Sequence, residues 1–306
     1  MDEDAVKKYL AAGGIAEKAK DRAMREAKPG VKILSLVSIL ENYIVELGGN
    51  PAFPVNVSVN NEAAHRTAYI NDESTLPEDG VVKIDIGVHV DGFIADTAIT
   101  VCFSEKYREL VETTREALEK ALRAVKPGIR ASEIGFVIEK VVRGRGFKVI
   151  RNLSGHSLAE YTIHAGETIP NYRDSLNFNR IRPGVAYAVE PFASTGRGVV
   201  YNEKRVNIYS IRPTFLFKEI SGEHVLMSIY KKRRTLPFSE RWFPELATLL
   251  GVDGFRELLK ELSRAGYLIP YPVLSDIPGS FVAQFEDTVL VLDDGSVIVT
   301  TNRAIL

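Results

Sequence analysis

Residues 81–102, VVKIDIGVHVDGFIADTAITVC, contain two runs of strand-forming residues separated by an Asp-Gly pair. Asp-Gly favours a tight turn, so the stretch predicts a β-hairpin. We place the centre of the turn between Val90 and Asp91. Asp85 and Asp96 then lie directly opposite each other on one face, with Cβ atoms roughly 5 Å apart. The hairpin therefore predicts two neighbouring carboxylates.

Such a pair of carboxylates needs a positive partner. Like charges opposite each other destabilise a ladder, and both aspartates lie in apolar runs where an unpaired charge is costly to bury. Lys83 shares a face with Asp85 and is one candidate, but a pair of divalent metal ions fits better if further ligands exist. Two edge-strand aspartates that face water are the alternative from the hairpin alone.

The composition is that of an ordinary globular protein, with 306 residues, 45% hydrophobic and 26% charged. The net charge of −1 gives no bulk attraction to nucleic acid or to a membrane. No apolar run approaches the length of a membrane span, and the acidic N-terminus lacks a signal-peptide core. Cys102 is the single cysteine, which excludes an intrachain disulfide and a cysteine-based zinc site. We expect a cytoplasmic enzyme.

The chain repeats itself at an offset of 98 residues, because KPGVK at 28–32 matches KPGIR at 126–130. Each segment separates two predicted helices, which we place at residues 4–27, 34–47, 105–125 and 131–143. We therefore expect two similar halves, each built as helix–helix–strands. Chance similarity between two helix stops is the alternative.

Residues 207–270 break this pattern and are predicted as a helical insert, with helices in HVLMSIYKKRR, FPELATLL and FRELLKELSRAGYL. The remaining residues, 1–206 and 271–306, are predicted to form the main domain. The helix–helix–wing pattern at the end of the insert resembles a winged helix.

Three further residues join the two aspartates as candidate metal ligands. Glu190 ends the apolar run GVAYAVEPF, and Glu286 is predicted inside the first strand of a second hairpin, FVAQFEDTVLVLDDGSVIVTT. His156 lies in a glycine-containing segment between the acids. Oxygen-rich ligation with one imidazole suits manganese, iron, cobalt or zinc. Four carboxylates carry too much charge for one ion, whereas two ions roughly 3–4 Å apart can share them.

At this point the chain resembles the type II methionine aminopeptidases of the creatinase-like, pita-bread metallopeptidase family. The matching segments are FPVNVSVNNEAAH, VVKIDIGVHVDGFIADTAITV, NLSGHSLAEYTIHAG, AVEPFASTGRG and YPVLSDIPGSFVAQFEDT, spread over residues 53–288. The insert is a feature of type II members, and the short N-terminus resembles the archaeal form.

The resemblance implies an α+β pita-bread fold, with a pseudo-two-fold repeat of helix–helix–strands around a curved, mostly antiparallel sheet. It implies removal of an N-terminal methionine with two divalent ions (Co, Mn, Fe or Zn). The implied ligands are Asp85, which binds one ion, Asp96 and Glu286, which bridge both, and His156 and Glu190, which complete the other. The implied catalytic residues are His65, His164 and Glu190, and the implied substrate contacts are His65, His164, Phe53, Ile163 and Tyr271.

In this scheme His65 is not a metal ligand, and its imidazole donates a hydrogen bond to the developing oxyanion or to the scissile amide. His89, in the hairpin turn, and His224, in the insert, are expected to be surface residues without a role. The expected partners are N-terminal methionine peptides and nascent chains, with no membrane and no specific nucleic acid, and we expect a monomer.

Two rival functions stay open. A proline-specific (Xaa-Pro) metallopeptidase shares the fold and the metal ligands, but usually has an N-terminal domain of its own. A nucleic-acid-binding or ribosome-binding module is the rival from another class, because the insert contains the basic run KKRR at 231–234. The sequence leaves open whether the insert contacts the ribosome.

Overall fold

A computed structural model describes residues 1–212 and 222–302 of the chain. Parts of the predicted insert (213–221) and of the predicted main domain (303–306) lie outside the described residues. The helices are α1 Glu3–Glu26, α2 Ile33–Glu46, α3 Arg108–Ala124, α4 Ala131–Gly144, α5 Glu223–Arg233, α6 Pro244–Leu250 and α7 Val252–Arg264. The strands are β1 Asn50–Pro51, β2 Asn56–Val59, β3 Glu62–Ala64, β4 Val81–Val90, β5 Phe93–Cys102, β6 Lys148–Val149, β7 Ser154–Leu158, β8 Thr168–Pro170, β9 Val185–Val189, β10 Phe192–Ser194, β11 Tyr201–Ile211, β12 Leu268–Ser275, β13 Val282–Gln284, β14 Asp287–Val291 and β15 Val297–Val299.

The predicted internal repeat is present in the structure. α2 and α4 begin and end at the same offset of 98 residues, Ile33 to Ala131 and Glu46 to Gly144. The turns before them are also alike, because Gly30 N donates to the carbonyl of Leu76 and Gly128 N donates to the carbonyl of Ile181. In each half, two helices cover one face of an antiparallel sheet.

The apolar faces of the helices form the cores of the two halves. Ala12, Ala16, Ala19 and Ala23 recur at helical spacing on the buried face of α1, and their small side chains let the helix lie close to β4 and β5. In the second half, α3 and α4 pack over β9, β10 and β14. The halves meet where Ala98 in β5 and Glu286 exchange both backbone hydrogen bonds, at 3.1 and 3.0 Å. The acids of the candidate metal centre lie around this junction.

The register of the β4–β5 hairpin differs from the predicted one. Asp91 and Gly92 are the two central turn residues and have φ of 50° and 91°, values that Asp-Gly tolerates well. Asp85 therefore pairs with Ala98, and Asp96 pairs with Gly87. The two aspartates still share a face but lie diagonally, so the prediction of a directly opposed pair was wrong. The turn had been centred one residue too early.

The predicted insert contains α5, α6 and α7, which bury Val225, Phe243, Phe255 and Leu259 in a small core of their own. It is attached by strands, because β11 continues through residues 207–211 and pairs with β12, which begins at residue 268. Those terminal residues are thus strand rather than helix. The division into domains at 207 and 270 stays a prediction.

Candidate metal centre

All ten residues proposed for the site line one cavity of about 340 Å³. They are Phe53, His65, Asp85, Asp96, His156, Ile163, His164, Glu190, Tyr271 and Glu286. The structure therefore brings together side chains from both halves of the repeat and from the strand that follows the insert. Their individual roles stay predictions.

The candidate ligands lie on strands of the two halves or directly beside them. Asp85 is on β4, Asp96 on β5 and His156 on β7, while Glu190 directly follows β9. Glu286 is not inside a strand, as the sequence predicted, but in the break between β13 and β14. At this break the chain changes partner, because β13 pairs with β10 and β14 pairs with β9. The change of partner interrupts the ladder at the residue that faces the cavity.

The acids and the imidazole are close enough for shared ligation. Ligand atoms of Asp96, His156 and Glu286 all lie within 4.8 Å of one another. His156 Nε2 is 3.9 Å from Asp96 Oδ2 and 3.8 Å from Glu190 Oε1. The amide of Gln284 donates to Asp85 Oδ2 at 3.4 Å and to Glu286 Oε2 at 3.2 Å, which joins Asp85 to the group.

The centre contains buried oxygens that lack a partner. Asp85 Oδ1, Asp96 Oδ1 and Glu286 Oε1 are buried and accept no hydrogen bond from the described residues. Burial raises the pKa of Asp85 to about 7. Burial, then the charges of Asp85 and Glu190, hold the pKa of Asp96 well above its usual range. The pKa of Glu190 and Glu286 is raised in the same way, by burial first.

Unpaired buried carboxylates are costly, and either protonation or a bound cation relieves that cost. Lys83, the alternative partner, donates to the backbone carbonyl of Asn60 at 2.7 Å, and burial lowers its pKa to about 7. The donor set that remains, several carboxylates and one imidazole, fits a divalent metal ion.

These pKa shifts predict how the metal-free protein responds to pH. A carboxyl whose pKa is raised in the folded state stabilises the fold below its unfolded pKa and loses that effect as the pH rises through the folded value. Because burial raises the pKa of Asp85 to about 7 and also raises that of Asp96, the free energy of unfolding of chelator-treated protein should fall by about 1 kcal/mol as the pH rises from about 6.5 through 7.

Chemical denaturation after chelation measures this decline. The window begins at about pH 6.5 because histidines with a lowered pKa, such as His65 and His156, act in the opposite direction below it. Metal-loaded protein is the control and should lack the decline. Equal pH dependence with and without metal would contradict the prediction.

A buried lysine behind the acids was missed by the sequence analysis. Lys20 of α1 donates to Asp287 Oδ1 at 2.7 Å, to Thr97 Oγ1 at 3.0 Å and to the carbonyl of Thr301 at 3.0 Å. Asp287 and Thr97 directly follow Glu286 and Asp96 in the chain. Lys20 therefore fixes the backbone that carries two candidate ligands. The sequence contained one indication of this role: Lys20 lies four residues after Ala16, on the face of α1 that carries the alanines and was expected to be buried.

A second missed residue fixes Asp96 itself. The hydroxyl of Thr288 accepts a hydrogen bond from Asp96 N at 2.7 Å and donates one to the Asp96 carbonyl at 2.8 Å. This side chain replaces a backbone partner where β5 meets β14. The position of Asp96 is thus determined by its main chain, independently of its carboxylate.

Two histidines and a tyrosine form the wall beside the acids. The ring of His164 lies edge-on to His156, with centroids 4.5 Å apart, and His65 packs edge-on against Tyr271 at 5.4 Å. His65 Nδ1 is 3.2 Å from the backbone carbonyl of Pro272. Because a carbonyl only accepts, Nδ1 carries the proton of the neutral ring.

Burial, then the charge of His164, lowers the pKa of His65 to about 4, so the ring is neutral at pH 7. A neutral ring protonated at Nδ1 presents Nε2 as an acceptor. The sequence-based expectation had His65 donate a hydrogen bond to substrate; in this tautomer Nε2 would accept one instead, and the role of His65 toward substrate stays a prediction.

An apolar recess adjoins the acids. Phe53 and Ile163 are buried in a cluster with Ile94 and Leu158, between the two halves. Gly87, opposite Asp96, is required here, because a Cβ atom at this position would lie 2.2 Å from the ring of Phe53. The recess is thus built by the same hairpin that carries two of the acids.

The prediction that His89 is a surface residue was wrong. It lies at the end of β4, is buried, and accepts a hydrogen bond from Gly92 N at 3.1 Å. Burial lowers its pKa to about 4. His224 is exposed at the start of α5, as expected.

Comparison with known proteins shows the family of the chain. The sequence model of metallopeptidase family M24 matches residues 7–293. The chain belongs to this family. The methionine aminopeptidase of Saccharolobus solfataricus is 44% identical over 303 residues, which are 98% of this chain and 99% of the relative. The methionine aminopeptidase of Pyrococcus abyssi is also 44% identical, over 97% of this chain and 99% of the relative. These relatives confirm the resemblance found in the sequence.

Solved structures confirm the fold of this M24 chain. The methionine aminopeptidase of Thermotoga maritima has a TM-score of 0.71 at 23% identity and covers 99% of this chain and 98% of its own. The prolidase of Pyrococcus furiosus has a TM-score of 0.61 at 18% identity, and this chain spans 64% of its length. The α+β pita-bread prediction is therefore confirmed. Family and buried acid–imidazole cluster together indicate a divalent metal site.

No helix among the described residues of this metallopeptidase has the length and apolar character needed to cross a membrane. The basic run at 231–234 is only partly a free surface patch, because Lys231 and Arg234 are exposed whereas the other two residues have partners. Arg233 is buried and donates to the carbonyls of Pro51, Ala52 and Pro237 at 2.9 to 3.0 Å, and Lys232 pairs with Glu245 at 2.6 Å. This part of the argument for a nucleic-acid-binding role is therefore weakened.

Proposed function

We propose that this chain is a methionine aminopeptidase that hydrolyses the first peptide bond of peptides and nascent proteins with an N-terminal methionine. The observation that carries the proposal is the similarity to methionine aminopeptidases over nearly the whole chain, together with a single cavity lined by all ten predicted residues. Two divalent ions, drawn from cobalt, manganese, iron and zinc, are part of the proposal.

Asp85, Asp96, His156, Glu190 and Glu286 would hold the ions. When bound, divalent ions supply a water of lowered pKa and a positive charge beside the scissile carbonyl. The recess of Phe53 and Ile163, with Tyr271 at its wall, receives the methionine side chain. A closed recess next to the acids fits one side chain and a free amino group, which explains removal of a single residue.

Glu190 acts as the general base and then as the general acid in this scheme. Burial raises the pKa of its carboxyl well above the usual range, which makes the carboxylate a stronger base than an exposed one. It takes the proton of the attacking water and passes it to the leaving amine. His65 Nε2 accepts the hydrogen bond of the scissile N–H and orients the amide. His164, exposed at the mouth of the cavity, contacts the substrate carbonyl.

The expected partners are methionine-initiated peptides and nascent chains, and a cytoplasmic location and a monomeric state belong to the proposal. The rival activity is Xaa-Pro cleavage. The prolidase of Pyrococcus furiosus is matched over 64% of its length, whereas the methionine aminopeptidase of Saccharolobus solfataricus is matched over 99%. This difference in coverage favours methionine removal. Contact of the insert with the ribosome stays a prediction.

Peptide hydrolysis by chelated and then metal-reconstituted protein tests the proposal. We expect release of free methionine from Met-Gly and Met-Ala-Ser peptides, and none from the same peptides with an acetylated N-terminus. Metal titration should show two ions per chain at full activity. Cleavage of Xaa-Pro peptides with Met-Ala-Ser left intact would overturn the assignment in favour of the prolidase-like rival.

A further inference from the structure

The backbone of His65 adopts an unfavourable conformation. His65 directly follows β3 and has φ of 66°, in the left-handed region that residues with a side chain rarely occupy. Such a conformation persists only where the surrounding structure holds it. The position of its ring depends on this backbone, because His65 directly follows β3 and lines the cavity.

The side chain of Asn56 holds this backbone. Asn56 Oδ1 accepts the hydrogen bond of His65 N at 2.8 Å, and Asn56 Nδ2 donates to the carbonyl of Pro54 at 2.6 Å. The side chain is only 3% exposed, so water does not readily replace either contact. Removing Asn56 Oδ1 would leave a buried donor unpaired on a strained residue.

Asn56 also connects His65 to the acids. It lies on β2 and pairs with Asp85 in the ladder of β2 and β4. Its second hydrogen bond ends at Pro54, the neighbour of Phe53 in the apolar recess. One amide group therefore ties three parts of the cavity together: a candidate metal ligand, the methionine recess and the imidazole.

We propose that Asn56 is a positioning residue that sets the direction of His65 Nε2 through the backbone of His65. The proposal rests on the proposed function, because it assigns the oriented nitrogen to the scissile N–H of a methionine peptide. Asn56 holds the backbone of His65 by accepting its N–H hydrogen bond, and the Pro272 carbonyl holds the ring by its contact with Nδ1. Together they fix both the position and the tautomer of the imidazole.

Kinetics of Asn56→Ala with a Met-Ala-Ser peptide test the assignment. We expect kcat to fall by about one to two orders of magnitude, with KM changed less than about threefold and metal content unchanged. Asn171→Ala is the matched control, since Asn171 is also fully buried and donates to a backbone carbonyl, that of Leu153 at 3.0 Å. Asn171 does not line the cavity, so the kcat of the Asn171→Ala protein should stay near that of the wild type.

A double-mutant cycle separates positioning from general damage. If Asn56 acts through His65, then Asn56→Ala should change kcat less than about twofold in a His65→Ala background. A full additional loss in that background would overturn the proposal. If wild-type protein and Asn171→Ala are both inactive on methionine peptides, the proposed function fails instead.

NMR of labelled histidine gives a readout that does not depend on turnover. Wild-type His65 should show the Nδ1–H tautomer, and Asn56→Ala should move part of the proton to Nε2. Asn56→Asp, whose buried carboxyl can accept from His65 N and, when protonated, donate to the Pro54 carbonyl, serves if the alanine variant fails to fold. It should keep the wild-type tautomer, and loss of that tautomer in Asn56→Asp would contradict the role of Oδ1.

Discussion

Asp96→Asn should reduce turnover by about a thousandfold or more while the protein stays folded. Asp96 is buried, its Oδ1 has no described partner, and ligand atoms of Asp96, His156 and Glu286 lie within 4.8 Å of one another. In the proposed centre Asp96 would serve both ions, and an amide would supply neither the second anionic oxygen nor the negative charge for that role. The position of residue 96 should be kept, because Thr288 binds its backbone N–H and carbonyl.

The metal-free Asp96→Asn protein should be at least as stable as the metal-free wild type. Burial and the charges of Asp85 and Glu190 make the Asp96 carboxylate unfavourable, and a neutral amide removes this repulsion. Metal analysis, chemical denaturation and steady-state kinetics on one preparation measure the three effects. Asp91→Asn, in the exposed turn of the same hairpin, is the control. Wild-type turnover of Asp96→Asn at ordinary metal concentrations would refute the bridging role.

Much of the fold could be predicted because local sequence patterns specify its helices and strands, and because the helix pattern occurs in both halves of the chain. The Lys-Pro-Gly helix stops recur at one offset, and the helices that they separate recur with them. Apolar periodicity in α1 and alternation in β4 and β5 do not depend on distant contacts. The apolar residues whose spacing predicted these helices and strands are also the residues that pack in the core.

The errors lie where geometry depends on one turn residue or on tertiary contacts. Placing the turn one residue too early opposed Asp85 to Asp96, whereas the left-handed Asp91 and Gly92 set them diagonally. Glu286 looked like a strand residue because it lies between two apolar runs, at residues 281–283 and 289–291. The break there arises from a change of pairing partner, β10 to β9, which no local pattern encodes.

The supporting residues of the site were missed for the same reason. Lys20 lies 267 positions from Asp287 in the chain, so their contact depends on how the first helix packs against the last strands. Asn56 is a polar residue in a short strand. Its contact with His65 N forms only in the folded chain, where the end of β3 lies next to β2, so no pattern in the sequence indicated it. The candidate ligands could be predicted because buried acids in apolar runs are unusual by themselves.

His65→Ala should lower turnover by roughly two orders of magnitude or more without loss of metal. His65 follows β3, its Nδ1 binds the Pro272 carbonyl, and its ring packs on Tyr271, so its contacts are with the wall of the cavity. A ligand role would close a position that water or substrate needs. Loss of the Nε2 acceptor instead leaves the scissile N–H without its orienting partner.

The left-handed backbone of residue 65 requires a second variant, because alanine is disfavoured at a φ of 66°. His65→Asn is the matched choice, since asparagine tolerates this conformation but is too short to replace Nε2. We expect the two variants to lose turnover alike, to bind substrate with similar affinity and to retain the metal content of the wild type. If either variant loses a metal ion in parallel with its activity, His65 is a ligand and the assignment to substrate orientation is wrong.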